Sequence, residues 1–504
     1  MTESEVPRLH PEVLEVVFSH LDGKSLARCE QVCKLWNELV QRISQRTDIW
    51  KRCCEKEIDR GTRLEVLDKS FPSWHLSCLS EAEWREVYKN WCQWQHLDSW
   101  GYKTRTICED THIAPVTCMR TSGTSVVTGH HYGDVFLWGD DDVVNVTLHV
   151  RHVTDLSLMV YGGLSKNDSE QLHHDLVIST SLDHTVQINP LTFEEDTHGF
   201  PIVIKEHFGP TIIVRSFRNL FAVLSYDERV SVWQVTNSSG NIRAPEISKL
   251  HTLRIHSDPF AAISIWGAGS IQISDYIFGG QWPLNFKWLI LQRECQHIEK
   301  HYNFPPVTSP PHHKCDVVHL IKMEVAGLLS RENFSKSFQV SAITYKGLCL
   351  PIYRGGTSNS YKLLQEETQH FSSPELWEDM DGRILRIFFW RYGISIVLTD
   401  ERYMYVRIDS GRQVKYNTMP YLHSHPVTVL LYGEILLLGM ASGTLYLYLL
   451  HHITDLLTLD LRAVYWKHSL SSDPIIAVDI TETSNGPRIA AATKDKLYCI
   501  PFHQ

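Results

Sequence analysis

Twenty-eight histidines and twelve cysteines are the residues of this 504-residue chain that could bind a metal or act as nucleophiles. Their spacing argues against both. The cysteines stand at 29, 33, 53, 54, 78, 92, 108, 118, 295, 315, 349 and 499, with no Cys-x-x-Cys pair. Zinc sites use paired short spacings, so these read as free thiols. Of the four His doublets, only His312-His313-Lys314-Cys315 sits beside a cysteine, and no second ligand pair lies at a matching distance. Asp140-Asp141-Asp142 reads as a solvated loop. Gly279-Gly280 and Gly355-Gly356 are isolated pairs, and phosphate-cradle, nucleophile-elbow and His-Glu-x-x-His patterns are absent from the sequence. No catalytic centre, metal or cofactor is expected; the sequence reads as a binding protein rather than an enzyme.

The bulk composition narrows what is bound. The net charge is −10, with 43% hydrophobic and 21% charged residues. Coating nucleic acid needs concentrated positive charge, which the chain lacks. Its most apolar stretch, Val427 to Met440, is interrupted by Glu434 and is shorter than the ~20 residues that span a bilayer. The opening MTESEVPRLHPE has early acids and no apolar core of signal length. Together these predict no nucleic-acid or membrane partner and a reducing compartment, cytoplasmic and/or nuclear.

The elements that would position a binding surface fall into two groups. Residues 11–57 read as amphipathic helices. Leu14, Phe18 and Leu21 share one helical face; Asp22-Gly23 ends that helix and Ser25 caps the next. A second apolar set, Leu26, Cys29, Val32, Cys33, Trp36, Leu39, Val40 and Ile43, covers a wider arc, and Trp50 marks a third short segment. Three short helices bury little surface alone and often complete themselves against a partner. Residues 58–105 read as a helical connector. In it, Ser80-Glu81-Ala82-Glu83 opens a helix, and Trp84, Tyr88, Trp91, Trp94 and Gln95 form a stripe that packs against the C-terminal part of the chain.

The pattern Leu9-x-x-Glu12-x-Leu14-x-x-x-Phe18-x-x-Leu21, then Leu26, Val32-Cys33-x-x-Trp36 and Ile49-Trp50, resembles an F-box. His10 stands where the family has proline, with Pro11 next, and the Trp36–Trp50 segment is longer than usual. The resemblance implies docking on the adaptor Skp1 through Leu9, Pro11, Leu14, Phe18, Leu21, Leu26 and Val32, over a small core of Cys33, Trp36 and Trp50. A plain helical subdomain without a partner is the alternative.

Residues 106–504 turn to short β-rich runs. An apolar strand, a tight turn and a second strand recur in the units ending at 138, 188, 233, 406, 448 and 500. Weaker units lie around Ala262–Phe278 and Val317–Tyr353, and loop insertions near 281–316, 355–381 and Ser165–His174. Most steps between neighbouring units are 40–50 residues, the length of a four-stranded blade. The units resemble degenerate WD40 repeats, with terminal Trp138 and Trp233, turn residues Asp183, Asp227, Asp400 and Asp495, and Gly129-His130 at an unusual place. The expected architecture is thus α plus all-β: a three-helix F-box over 1–57, a helical linker over 58–105, and a seven- to eight-bladed WD40-like β-propeller over 106–504. A different propeller or a large sandwich are the alternatives.

In such propellers the positions just before the strand turns gather at one end of the channel. Here these are His131, Leu182, Tyr226, Thr399, Ala441 and Lys494. None is arginine, so the resemblance does not support phosphodegron reading by that ring; Arg215 and Arg229 are loop candidates for supplying charge from elsewhere. The resemblance implies a non-catalytic substrate receptor of a Skp1–cullin–F-box (SCF) ubiquitin ligase. It would reach a cullin-RING ligase through Skp1 and hold an unidentified protein substrate on the propeller. A propeller scaffold without ligase function is the alternative.

Overall fold

The structure is a computed structural model. It describes residues 9–72, 79–108, 114–140, 142–160, 174–193, 201–207, 209–217, 219–225, 229–236, 245–254, 321–322, 338–343, 349–355, 381, 384–389, 394–399, 401–408 and 413–503.

Helix α1 (Pro11–Ser19) starts with proline at its first turn, where the missing N–H costs nothing, and buries Leu14 and Phe18. Helix α2 (Gly23–Val32) is capped by Asp22, whose carboxylate accepts from Ser25 N at 2.6 Å. This corrects the expected cap: Ser25 lies inside the helix, and the acid one residue before Gly23 reaches its free N–H groups. The apolar run expected to form one helix divides at Cys33 (φ −162°, ψ 167°), giving α3 (Lys34–Arg46). With α4 (Ile49–Glu57), four helices stand where three are expected. Cys33 is a second correction. Its extended backbone turns the thiol to solvent, so it lies outside the core.

Helices α5 (Arg60–Ser70) and α6 (Glu81–Trp94) come next. Helix α6 opens with a capping box between Ser80 and Glu83.

The remainder is antiparallel sheet. Strands β1 (Gly101–Tyr102) and β2 (Arg105–Cys108) come first but pair with β28 (Leu497–His503), at the far end of the chain. Four-stranded meanders are formed by β3 (Val116–Ser122), β4 (Ser125–His130), β5 (Asp134–Trp138) and β6 (Val143–Leu148), and by β7 (Val153–Met159), β8 (Leu176–Ser181), β9 (Val186–Pro190) and β10 (Ile202–Ile204). The third comprises β11 (Thr211–Phe217), β12 (Leu220–Ser225), β13 (Arg229–Thr236) and β14 (Glu246–Arg254). A three-stranded sheet, β15 (Ile321–Lys322), β16 (Phe338–Ile343) and β17 (Cys349–Gly355), succeeds it. Next are β18 (Ile384–Phe389), β19 (Ser395–Thr399), β20 (Tyr403–Arg407) and β21 (Gln413–Asn417), then β22 (Pro426–Tyr432), β23 (Ile435–Met440), β24 (Thr444–Leu449) and β25 (Trp466–Ser469). The last sheet joins β26 (Ala477–Thr483) and β27 (Gly486–Ala492) to β28, with β1 and β2 on its outer edge.

Each clear repeat unit in the sequence forms the second and third strands of one sheet. The second strands β4, β8, β12 and β23 are buried at every position. A strand can be buried throughout only when both faces of its sheet are covered. The covering comes from neighbouring sheets, whose first strands pack in the series β11–β7–β3–β26–β22–β18. Among the described residues this series does not close into a ring: between β14 and β18 only β15–β17 are described. The unit around Ala262–Phe278, the insertion at 281–316, positions 165–173 and nearly all of 355–381 lie outside the described residues.

One apolar core runs without a break from the helices into the last two sheets. It joins Phe18, Leu26, Trp50, Trp84 and Trp94 to Tyr432, Ile480, Ile500 and Phe502. Among the described residues no helix is long and apolar enough to cross a membrane.

Candidate docking surfaces

Helix α1 carries apolar residues on two faces. Leu14 and Phe18 point inward, and Phe18 packs edge-on against Trp36 with ring centres 5.0 Å apart. Val13, Val16 and Val17 point outward, 48%, 60% and 45% exposed, and Leu9, Val32 and Leu35 are exposed with them. The docking residues expected from the sequence therefore divide. Leu9 and Val32 are exposed, and Pro11 and Leu21 are half-buried. Leu14, Phe18 and Leu26 are core residues of this chain, Phe18 being only 1% exposed. Trp50 is buried in the core, and Trp36 lies half-buried against it. Periodicity does not single out Val13, Val16, Val17 and Leu35. The available signal is the apolar surplus outside the Leu14–Phe18 face.

Helices α5 and α6 are fixed to the sheets through acids, two of them buried (Asp479 and Glu482) and two half-buried (Glu434 and Glu65). Glu482 accepts from Trp94 Nε1 at 3.1 Å and Asn90 Nδ2 at 3.0 Å, and also from the Ser70 and Tyr432 hydroxyls. Burial pushes its carboxyl up from the usual range, against these donors. Asp479 accepts from Lys69 Nζ at 2.9 Å and Thr121 N at 2.8 Å. Its burial raises the carboxyl pKa, but the Lys69 and Arg120 charges outweigh that and hold it low. Glu434 accepts from Trp91 Nε1 at 3.1 Å and from Gln95 Nε2, and Glu65 accepts from Gly433 N–H. The aromatic stripe thus packs on the C-terminal sheets, as its spacing predicts.

These contacts define an end of the sheets. The turns between first and second strands, at 433–434 and near Gly486, meet the helices, and the equivalent turn at Thr124 bonds to Arg488 beside them. The turns between second and third strands lie at the other end of the second strands, away from the helices.

That opposite end brings three sequence-selected positions together across three successive sheets. Lys494 O accepts from Val116 N at 2.9 Å, and Pro115 O accepts from His131 N at 2.9 Å. His131 Nδ1 meets His152 Nδ1 at 2.8 Å, and His152 O accepts from Leu182 N at 3.0 Å. Lys494, His131 and Leu182 are all exposed. Ala441 occupies the corresponding turn of a fourth sheet, its N–H donating to His425 O at 2.9 Å. Thr399 is a correction: it is 2% exposed, because it is the last paired residue of β19, and its counterparts His130, Ser181 and Met440 at the ends of β4, β8 and β23 are buried too. Tyr226 lies outside the described residues. Arg229 opens β13, paired with Ser225 and Arg254 through the backbone. Arg215 is also corrected: it lies on strand β11 rather than a loop and is bound to Asp155, which also accepts from Arg120 at 3.2 Å.

Two histidines build the turn framework. His149 Nδ1 faces the Asp183 carboxylate at 3.2 Å, and its Nε2 faces Ser179 Oγ at 2.8 Å. An ionised carboxylate only accepts, so Nδ1 carries a hydrogen toward Asp183. Asp183 also accepts from Val150 N and Thr185 N, both at 2.9 Å. Burial opposes its charge, but these bonds outweigh that and hold its carboxyl well below the usual range. The repeat pattern marks Asp183 but misses His149, 34 residues earlier and one position after β6. In the preceding sheet His130 donates to Ala114 O and accepts from Thr128, whose oxygen accepts from Trp138 Nε1 at 2.7 Å. The Gly129-His130 pair therefore ends β4 as framework.

Among the described residues no group of three or more His, Cys, Asp or Glu is placed to hold a metal ion.

Residues 7–56 match the F-box-like family. The chain is similar to F-box/SPRY domain-containing protein 1 of Drosophila persimilis, at 43% identity over 56 residues, 11% of this chain and 21% of that protein. It is also similar to F-box only protein 6 of Bos taurus, at 29% identity over 96 residues, 19% and 34% of the two chains. The chain thus spans about a fifth to a third of the length of these curated relatives. Among solved structures, similarity extends to the WD40 β-propeller domain of Doa1, at 14% identity over 80% of this chain and 97% of that one (TM-score 0.42). It extends also to U3-55K, at 12% identity over 79% and 98% (TM-score 0.42). The protein therefore carries an N-terminal F-box-like domain. A β-rich region of antiparallel meanders lies C-terminal to it.

Proposed function

We propose that the chain is the substrate-recognition subunit of an SCF-type ubiquitin ligase. Val13, Val16, Val17, Leu9, Val32 and Leu35 would seat Skp1, and through it a cullin-RING ligase. The sheets, completed into a WD40-like propeller of seven or eight blades, would present a protein substrate at the end away from the helices. The observation that carries this reading is the exposed apolar face of the F-box-like helices, since a monomer gains nothing by leaving such a face uncovered. The buried acid network supports the second half, because it fixes the distance between the two ends. Catalysis would come from proximity: holding substrate lysines near the ubiquitin-loaded enzyme raises their effective concentration, and no side chain of this chain takes part in the chemistry. The cytoplasm and nucleus are the compartments we assign.

The test is co-expression with Skp1 and capture of the complex. The wild type should retain Skp1, and Val13→Asp with Val16→Asp should release it while keeping the wild-type circular dichroism spectrum. Failure of the wild type to bind Skp1 overturns the proposal.

A further inference from the structure

Fourteen large apolar side chains are exposed among the described residues, and they are not scattered. Six lie on the F-box-like helices or, for Leu9, just before the first of them. Another six, Tyr132, Val143, Leu148, Val150, Leu182 and Val203, lie on just two neighbouring sheets, with Val150 87% exposed. Singly exposed apolar residues are ordinary, but a concentration of them marks a contact surface.

Within this surface runs a groove of about 480 Å³, lined by Val150, Leu182 and Val203 together with Arg151, Lys205 and Asp183. The two cations sit on different elements, Arg151 on the loop after β6 and Lys205 just past β10, and both are exposed. Neither has an ion-pair partner among the described residues. Lys205 is followed by Glu206, but that carboxylate is taken by Lys249. The one acid in the groove, Asp183, already receives His149, Val150 and Thr185. The net demand of the groove is therefore for negative charge beside an apolar side chain. Its shape adds a further constraint: β10 is the outermost strand of its sheet, so an extended segment can lie along it as an added strand.

We infer that this groove binds an extended acidic peptide segment, its apolar side chain against Val150, Leu182 and Val203 and its carboxylates against Arg151 and Lys205. This rests on the substrate-receptor reading for its biological meaning and names the class of segment that would be recognised. The two cations stand on separate elements, which suits carboxylates spaced along a chain better than one phosphate.

The experiment is fluorescence anisotropy with the full chain and a short fluorescein-labelled peptide alternating glutamate and leucine. Comparison peptides carry lysine for glutamate, glycine for leucine, or phosphoserine for glutamate. The glutamate–leucine peptide should bind, and more weakly as salt is raised. Arg151→Glu, Lys205→Glu and Leu182→Asp should each weaken it about tenfold. Should a charge reversal fail to fold, Arg151→Gln and Lys205→Gln carry the same test with smaller losses. Val13→Asp, which addresses Skp1 docking, should leave peptide affinity unchanged, and failure of the wild type to capture Skp1 with retained peptide binding would sink only the ligase reading. No binding, equal binding of the lysine or glycine peptide, binding of the phosphoserine peptide alone, or full affinity in the Arg151 and Lys205 variants overturns the inference.

Discussion

Trp94 Nε1 and Glu482 Oε1 stand 3.1 Å apart, a bond that joins the last turn of α6 to the end of β26 inside the protein. Around it converge Asn90, Ser70 and Tyr432, all donors to the same buried carboxyl. Orphaned buried donors cost about 1–3 kcal/mol each. Glu482→Leu should therefore lose at least about 3 kcal/mol in urea denaturation, whereas the same substitution at an exposed acid such as Glu38 should be near neutral. A loss below about 1 kcal/mol would show that the network contributes little.

Asp183 supplies a pH dependence of known sign. Its folded-state pKa lies below the unfolded value near 3.9 because His149, Thr185 and Val150 bond the ionised form. Its contribution is therefore fully present above about pH 4 and lost as pH falls through the depressed pKa. The melting-temperature difference between wild type and Asp183→Asn should be constant from about pH 7 to about 5 and shrink below about pH 4. A difference that grows on acidification would contradict the bonding described.

The two faces of α1 should separate folding from docking. Val13→Asp and Val16→Asp change exposed positions and should shift stability by no more than about 0.5 kcal/mol while releasing Skp1. Phe18→Asp places a charge in the core and should unfold the helical domain, abolishing its cooperative melt. Equal loss of fold in all three would place Val13 and Val16 in the core instead.

Gly433 is a local test of how the two regions meet. Its φ is +54°, and a Cβ there would stand 2.8 Å from Thr62 Cγ2 on α5. Gly433→Ala combines left-handed backbone strain with that clash and should cost about 1–2 kcal/mol. Thr62→Ser beside it should recover part of the loss, because it removes the clashing methyl and leaves the strain.

Local chemistry is legible in the sequence and relations between distant segments are not. The six hairpins can be read because Asp or Gly at the turn and alternation in the strands act over a few residues. The capping box at Ser80 is local in the same way. The break at Cys33 is hidden because no Gly or Pro marks it, and the apolar spacing continues across it. Helix α1 misleads differently: its inward and outward faces are both apolar, and periodicity cannot say which one the chain covers. The pairing of His149 with Asp183 spans neighbouring sheets, and the acids that receive α5 and α6 are hundreds of positions away. Thr399 shows the limit of register alone, since a slip of one residue moves an exposed turn position to the buried end of a strand.

The order of synthesis gives the β28 pairing a further meaning. Gly101–Tyr102 and Arg105–Cys108 emerge early, yet their partner strand is Leu497–His503, and the Trp94–Glu482 bond spans 388 positions. Contacts of such separation form late. A ribosome-bound or truncated chain would display the F-box-like helices while Trp94 and the 101–108 strands still lack their seat. On the substrate-receptor proposal, premature termination would then yield not a weaker receptor but an untethered docking module, able to occupy an adaptor with nothing held at the other end.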